Sequence, residues 1–152
     1  MAALTWIPEV VPEAGPSGRT IERLLRSKNV GLVAASRRIE EGLPFRVFAE
    51  LCAGLRLTQG EFAALLQMSE STLYRRKGAG RFEATESDRL WRYVVLYARA
   101  MDVLEAPDAA VEWLHAPNQV LGGKTPLAST KDGPGAQRTL AVLGRMEHGV
   151  FG

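Results

Sequence analysis

The chain has 152 residues, 46% hydrophobic and 24% charged, with a formal net charge of +2 at pH 7. That length allows one domain, or one domain plus an appendage, around a real core. No apolar run approaches the roughly 18 residues of a membrane span, the lone Cys52 excludes an internal disulfide framework and fits a reducing compartment, and the first residues lack the basic lead-in of a secretory signal, so the expected location is cytoplasmic, with no membrane partner.

The small net charge conceals a split. Residues 19–101 carry 15 Lys and Arg against 9 Asp and Glu, whereas 102–152 carry 4 against 6. The positive surplus therefore sits in the front of the chain, where an anionic partner would want it.

In chain order, residues 1–18 hold three prolines and two glycines among scattered apolar residues, and read as a flexible tail. Ser17 is placed to cap a helix running to about Lys28 through Ile21, Leu24 and Leu25. A second helix is expected over Gly31–Glu41, ended by Gly42. Pro44 suits the first turn of a third helix. In it, Phe45, Phe48, Leu51, Cys52 and Leu55 recur at helical spacing and form one apolar face. Cys52 among these neighbours is a small buried apolar residue rather than a reactive thiol.

The stretch Thr58–Arg81 has the layout of a helix-turn-helix. Thr58 caps a helix start and Glu61 completes a capping box. Phe62, Leu65 and Leu66 make its apolar face. Met68-Ser69-Glu70 is the length of a tight connection, and Ser69 or Ser71 caps a second short helix, Ser71–Lys77, with Leu73 turned to the core. Two helices so joined lay the second in a DNA major groove. Base-reading candidates are Ser69, Ser71, Thr72 and Tyr74, near the start of that helix. Phosphate candidates are Arg75, Arg76, Lys77 and Arg81, which position more than they specify. If all four met one phosphate each in a dimer, log K would fall against log salt with a slope of about −7.

Thr85-Glu86-Ser87-Asp88 marks another helix start, with an acid three residues after the cap. The helix continues through Leu90, Trp91, Val94, Leu96, Tyr97, Met101 and Leu104. Arg89, Arg92 and Arg99 line its polar side, facing either phosphates or solvent. Pro107 restarts the chain as a first-turn proline followed by Asp108. Pro117–Leu127 cannot be a continuous helix, and Gly122-Gly123 permits positive φ. A last helix runs from about Pro134 to Glu147. With no repeat and no alternating strand pattern, the expected fold is all-α, a helix-turn-helix bundle followed by a small helical domain.

Chemistry is scarce. The two histidines, His115 and His148, have no cysteine or acid at zinc-ligand spacing. Gly133-Pro134-Gly135 precedes a helix without a strand leading in, so it is not a phosphate loop. No nucleophile–base pair stands out. The chain is expected to be no enzyme, with no metal and no cofactor.

The back third carries a pattern of its own: Ala109 to Trp113-Leu114, Pro117-Asn118, Leu121-Gly122-Gly123, Thr125-Pro126-Leu127, Gly135-Ala136, Leu143, Arg145-Met146-Glu147 and Gly149. In this order and spacing it resembles the toxin-binding domain of the Xre/MbcA/ParS antitoxins, which pair with RES-domain toxins. The front, through Ser71-Thr72-Leu73-Tyr74-Arg75-Arg76 and Glu86-Ser87-Asp88-Arg89-Leu90, resembles the Xre-like helix-turn-helix of the same family. The resemblance covers roughly residues 40–152. With the tail read at 1–18, it gives the expected division of the chain: a helix-turn-helix and dimerisation domain at 19–104 and a toxin-binding domain at 105–152.

What the resemblance implies is a type II antitoxin that blocks a NAD-consuming or ADP-ribosylating toxin encoded by the adjacent gene. It would also bind the promoter DNA of its own operon, as a homodimer within a larger toxin–antitoxin complex. The implied toxin-binding residues are Trp113, Asn118, Leu121, Gly122, Gly123, Arg145, Glu147, His148, Gly149, Val150 and Phe151. The end of the chain would enter the toxin's active site, with Phe151 filling a pocket and Arg145 or His148 meeting acidic or phosphate-binding groups. Trp113 is either core or interface. The sequence departs from the family after Thr-Pro-Leu, where an acid and two leucines are usual: Ala128-Ser129-Thr130 stands instead, which leaves the short helix there without its apolar side. Two other readings remain beside the full antitoxin, namely a helix-turn-helix regulator without a toxin partner and an antitoxin that has lost DNA binding.

Overall fold

The structure is a computed structural model, and it describes residues 32–149. The expected tail at 1–18 and the helix at 17–28 lie outside the described residues, as do Val150 and Phe151. Among the described residues the fold is all-α: α1 Leu32–Glu41, α2 Phe45–Leu55, α3 Gln59–Leu65, α4 Glu70–Ala79, α5 Ala84–Leu104, α6 Pro107–His115, a 3-10 turn at Gln119–Leu121, α7 Pro126–Ser129 and α8 Gly133–Glu147. The chain divides into two compact units, one ending at Trp91 and the other beginning at Arg92.

The first unit is built on aromatic rings. Phe48 lies 5.3 Å from Phe45, 5.1 Å from Phe62 and 5.7 Å from Phe82, centroid to centroid. Leu51, Leu55, Leu66 and Leu90 close around them, fully buried. The apolar spacing in α2 therefore does what its periodicity predicts. Cys52 is buried there, and burial pushes its thiol up to about 12. Gly42 ends α1 with φ +90, and a Cβ there would stand 2.2 Å from the Phe82 carbonyl oxygen. That close approach lets the α1–α2 link lie along the α4–α5 link. Phe82 N–H donates to the Leu43 carbonyl at 2.9 Å, Phe45 N–H to that of Gly80 at 3.0 Å, and Leu43 N–H to Ser87 Oγ at 2.8 Å.

The start of α5 differs in detail from the expectation. The helix begins at Ala84, before Thr85. Glu86, not Asp88, is the acid that reaches back, with its Oε1 accepting the Glu83 N–H at 2.9 Å. Ser87 is buried, and its Oγ accepts the Leu43 N–H.

In the second unit Tyr93, Val94, Leu96, Tyr97 and Ala100 of α5 are buried, as are Ala110, Val111 and Leu114 of α6 and Val142 and Leu143 of α8. Pro107 occupies the first turn of α6, as its fixed φ allows. The short helix after Thr125 does form, although Leu-Leu is missing. Thr125 caps it by accepting the Ala128 N–H at 3.1 Å. Ser129 and Thr130 are buried in the places of apolar residues, and their hydroxyls donate to main-chain carbonyls, Thr130 Oγ1 to Pro126 at 2.8 Å and Ser129 Oγ to Gly135 at 3.5 Å. A buried hydroxyl is tolerated when it is so bonded. Gly135 makes the packing possible: a Cβ would meet the Ser129 carbonyl oxygen at 1.8 Å.

Candidate functional site

The helix-turn-helix assembles as the capping signals dictate. Thr58 Oγ1 accepts the Glu61 N–H at 3.1 Å while Glu61 Oε1 accepts the Thr58 N–H at 2.8 Å, closing the capping box. After α3 the chain turns through Leu66 and Gln67, the latter at φ 57, and Met68 is tucked in with its N–H on the Ala63 carbonyl. Of the two candidate caps for the second helix, Ser69 is the one used. It accepts the Thr72 N–H at 3.2 Å, so α4 starts at Glu70, one residue earlier than Ser71, and ends at Ala79. Leu73 is buried beneath it, as expected.

The eight candidate DNA residues then separate into two groups. Ser69, Ser71, Thr72 and Arg75 form a connected polar chain at the N-terminal end of α4. Ser69 Oγ lies 3.2 Å from Ser71 Oγ and donates to Thr72 Oγ1 at 3.0 Å, and the Arg75 guanidinium donates to the same Thr72 oxygen at 3.1 Å. Tyr74 is 79% exposed. Arg75 and Lys77 are exposed as well. A shallow cleft runs from Gln59 and Gly60 of α3 along Glu70, Tyr74 and Lys77 of α4. Arg76 and Arg81 behave differently. Arg76 donates from Nε to Glu86 Oε1 at 2.6 Å and from its second terminal nitrogen to Glu86 Oε2 at 2.9 Å, with Glu83 at 3.2 Å. Arg81 donates to the carbonyls of Glu41 and Gly42 at the end of α1. Burial pushes the Glu86 carboxyl up, but the hydrogen bonds from Arg76 and the Glu83 amide, with the charges of Arg76 and Arg75, outweigh it and hold the group below the usual carboxylate range.

The arginines of α5 are likewise engaged within the protein. Arg89 donates to the Leu66 carbonyl and Arg92 to that of Lys131, both at 3.3 Å. Arg99 pairs with Glu147 at 2.9 Å.

The toxin-binding candidates are spread over three parts of the second unit. Trp113 is half-buried on α6. Asn118 organises the loop that follows: its Oδ1 accepts the Val120 N–H at 2.9 Å, its carbonyl the N–H groups of Leu121 and Gly123, and its own N–H donates to Lys124. Leu121 is buried, whereas Gly122 and Gly123, at φ +70 and +84, are exposed with nothing near a would-be Cβ. At the end of α8, Arg145, Glu147, His148 and Gly149 are exposed. Hydrogen bonding and charge from Arg99 hold the Glu147 carboxyl below its ordinary range. Sequence reasoning missed Glu86 and Glu83 as partners of Arg76; the Glu83-x-x-Glu86 spacing shows a helix start, but nothing in it reveals a guanidinium ten residues upstream. It also missed Thr139, buried with its hydroxyl on the Gly135 carbonyl at 2.8 Å. Among the described residues no group of His, Cys, Asp and Glu could hold a metal ion, and no helix is long and apolar enough to cross a membrane.

The first unit thus contains a helix-turn-helix and the second is a separate helical unit, and comparison with known families gives the class. Residues 34–95 match the antitoxin Xre-like helix-turn-helix domain, and residues 99–149 match the antitoxin Xre/MbcA/ParS C-terminal toxin-binding domain. The protein is thus a two-domain antitoxin. Two relatives agree: a protein named antitoxin Xre from Photorhabdus laumondii is 29% identical over 114 residues, 74% of this chain and 77% of that one, and one of the same name from Yersinia enterocolitica is 34% identical over 84 residues, 55% of this chain and 57% of that one. The chain belongs to the Xre antitoxin family, which is not a family of enzymes.

Proposed function

We propose that this antitoxin binds and inhibits a RES-domain toxin, an enzyme that consumes NAD or transfers ADP-ribose, by occluding its active site. We propose further that it represses its own operon in the cytoplasm by binding promoter DNA as a homodimer. The observation that carries the reading is the pairing in one chain of a helix-turn-helix with a toxin-binding domain, in that order. On the DNA side, Ser69, Ser71, Thr72 and Tyr74 lie at the N-terminal, outward side of α4, where base edges are read in such motifs. Arg75 and Lys77 serve the phosphates. Arg76 and Arg81 are already engaged with carboxylates and carbonyls, so the expected salt slope for a dimer shrinks to about −0.9 × 4, near −4.

On the toxin side, Arg145, Glu147, His148 and Gly149 present the end of α8, and Val150 and Phe151 are the next residues in the sequence. A peptide end blocks a cleft well when a docked helix holds it, because ordering a free tail costs about 1–2 kcal/mol per residue. The Asn118 loop, with Leu121, Gly122 and Gly123, shapes the same unit, and Trp113 on α6 is its aromatic contact candidate. Deleting residues 146–152 is expected to abolish neutralisation of the toxin from the adjacent gene while promoter binding persists. Cells rescued by the truncated protein would show that the tail does not block the active site. Failure of the full chain to co-purify with that toxin would remove the reading altogether.

A further inference from the structure

We propose that Arg76 is a positioning residue rather than a DNA contact: with Glu86 and Glu83 it forms a latch that fixes the far end of the recognition helix α4 to the start of α5. The inference rests on the DNA-binding reading of α4. Three observations carry it. The fork is bidentate, at 2.6 and 2.9 Å, between side chains only 16% and 13% exposed. Such two-point pairing fixes orientation as well as distance. The residue also faces the wrong way for DNA. The Arg76 side chain is turned onto the start of α5 and little exposed, whereas Ser71 and Arg75, four apart on one stripe, are exposed. Finally, the latch is one of several ties on the same end of α4. Gly80, at φ +76, returns its N–H to the carbonyls of Arg76 and Lys77, and the Arg81 N–H also reaches the Arg76 carbonyl.

The same Glu86 carboxylate accepts the Glu83 N–H that opens α5. Withdrawing Arg76 to reach a phosphate would leave this half-buried carboxylate without its cation and bring it nearer a polyanion, a poor exchange for one screened surface contact. The latch therefore sets the tilt at which Ser71, Tyr74 and Arg75 meet the groove.

The test compares binding to a duplex from the region upstream of the gene with binding to a random duplex, over a salt series, for the full chain and for Arg75→Gln, Arg76→Gln, Arg76→Lys and Glu86→Gln. Amide hydrogen exchange in α4 is measured in the free proteins. Arg75→Gln should flatten the salt slope by about 0.9 for each phosphate that the side chain no longer meets. Arg76→Gln should leave the slope unchanged yet weaken the upstream duplex by about tenfold, with a smaller loss on random DNA. Arg76→Lys, which keeps the charge and loses the fork, should behave like Arg76→Gln. Glu86→Gln, which removes no positive charge, should match them, and all three should speed exchange at the end of α4. A flattened slope in Arg76→Gln, wild-type binding by Arg76→Lys, or tighter binding by Glu86→Gln would each overturn the latch, as would unchanged exchange. A wild-type chain with no preference for the upstream duplex would instead remove the DNA-binding reading, and the positioning role with it.

Discussion

The two units satisfy their polar groups in different ways. In the first, partly buried charge is paired: Arg76 is held between two glutamates and Arg81 on the carbonyls that end α1, beside a single buried hydroxyl among the described residues, Ser87. The second buries hydroxyls: Ser129, Thr130 and Thr139 each donate to a helical carbonyl, while the ion pair of Arg99 with Glu147 stays at the surface. The difference teaches where each kind of residue misleads. A basic run near a recognition helix looks like a phosphate clamp until a carboxylate from elsewhere in the chain claims part of it. A polar run where leucines are usual looks like lost core until the main chain claims the hydroxyls.

The contrast can be broken at its strongest points first. Phe48→Ala empties the centre of the aromatic cluster and should cost about 3–5 kcal/mol, read as a lower midpoint in urea unfolding. Loss of less than about 1 kcal/mol would mean that the rings are not the core of the first unit. Gly135→Ala sets a Cβ against an immobile carbonyl in the second unit, and should cost about 1–3 kcal/mol or more, as overpacking does. It should reduce toxin binding more than DNA binding, since α7 and α8 meet at that glycine.

Much of this is legible in the sequence because the signals are local. The capping box at Thr58 and Glu61, the proline at the start of α6, the glycines at positive φ and the apolar spacing of α2 each depend on neighbours within a turn or two. The helix-turn-helix pair itself follows from them. What the sequence hides depends on long-range pairing. Arg76 and Glu86 are ten residues apart and on different helices, and Arg81 reaches back some forty residues to α1. The survival of the short α7 is hidden for another reason: its bonds are local, but a count of apolar residues does not show that Ser129 and Thr130 can be buried with their hydroxyls on main-chain carbonyls.

Smaller effects sharpen the comparison. The charged latch should respond to acid and the hydroxyl bonds should not. The native Glu86 carboxyl binds its proton more weakly than the unfolded chain does, so its contribution is present at neutral pH and is lost as pH falls below the ordinary glutamate value of about 4.3. The stability gap between wild type and Glu86→Gln should therefore close on acidification; a gap that stays constant down to about pH 3 would deny the charge its role. Smallest of all, Arg99→Gln removes a pair whose side chains are 34% and 43% exposed, and should cost no more than about 0.2–1 kcal/mol, vanishing in high salt.

The lone thiol has a practical use. Cys52 lies in the wall of the aromatic core, and its deprotonation is displaced far toward alkaline conditions. Since the thiolate is the reactive form, labelling reagents at neutral pH should modify it only in molecules whose front half has come open. The chain thus carries its own stopwatch for that opening, one reporter per molecule, readable in the presence of nucleic acid or toxin without adding a dye.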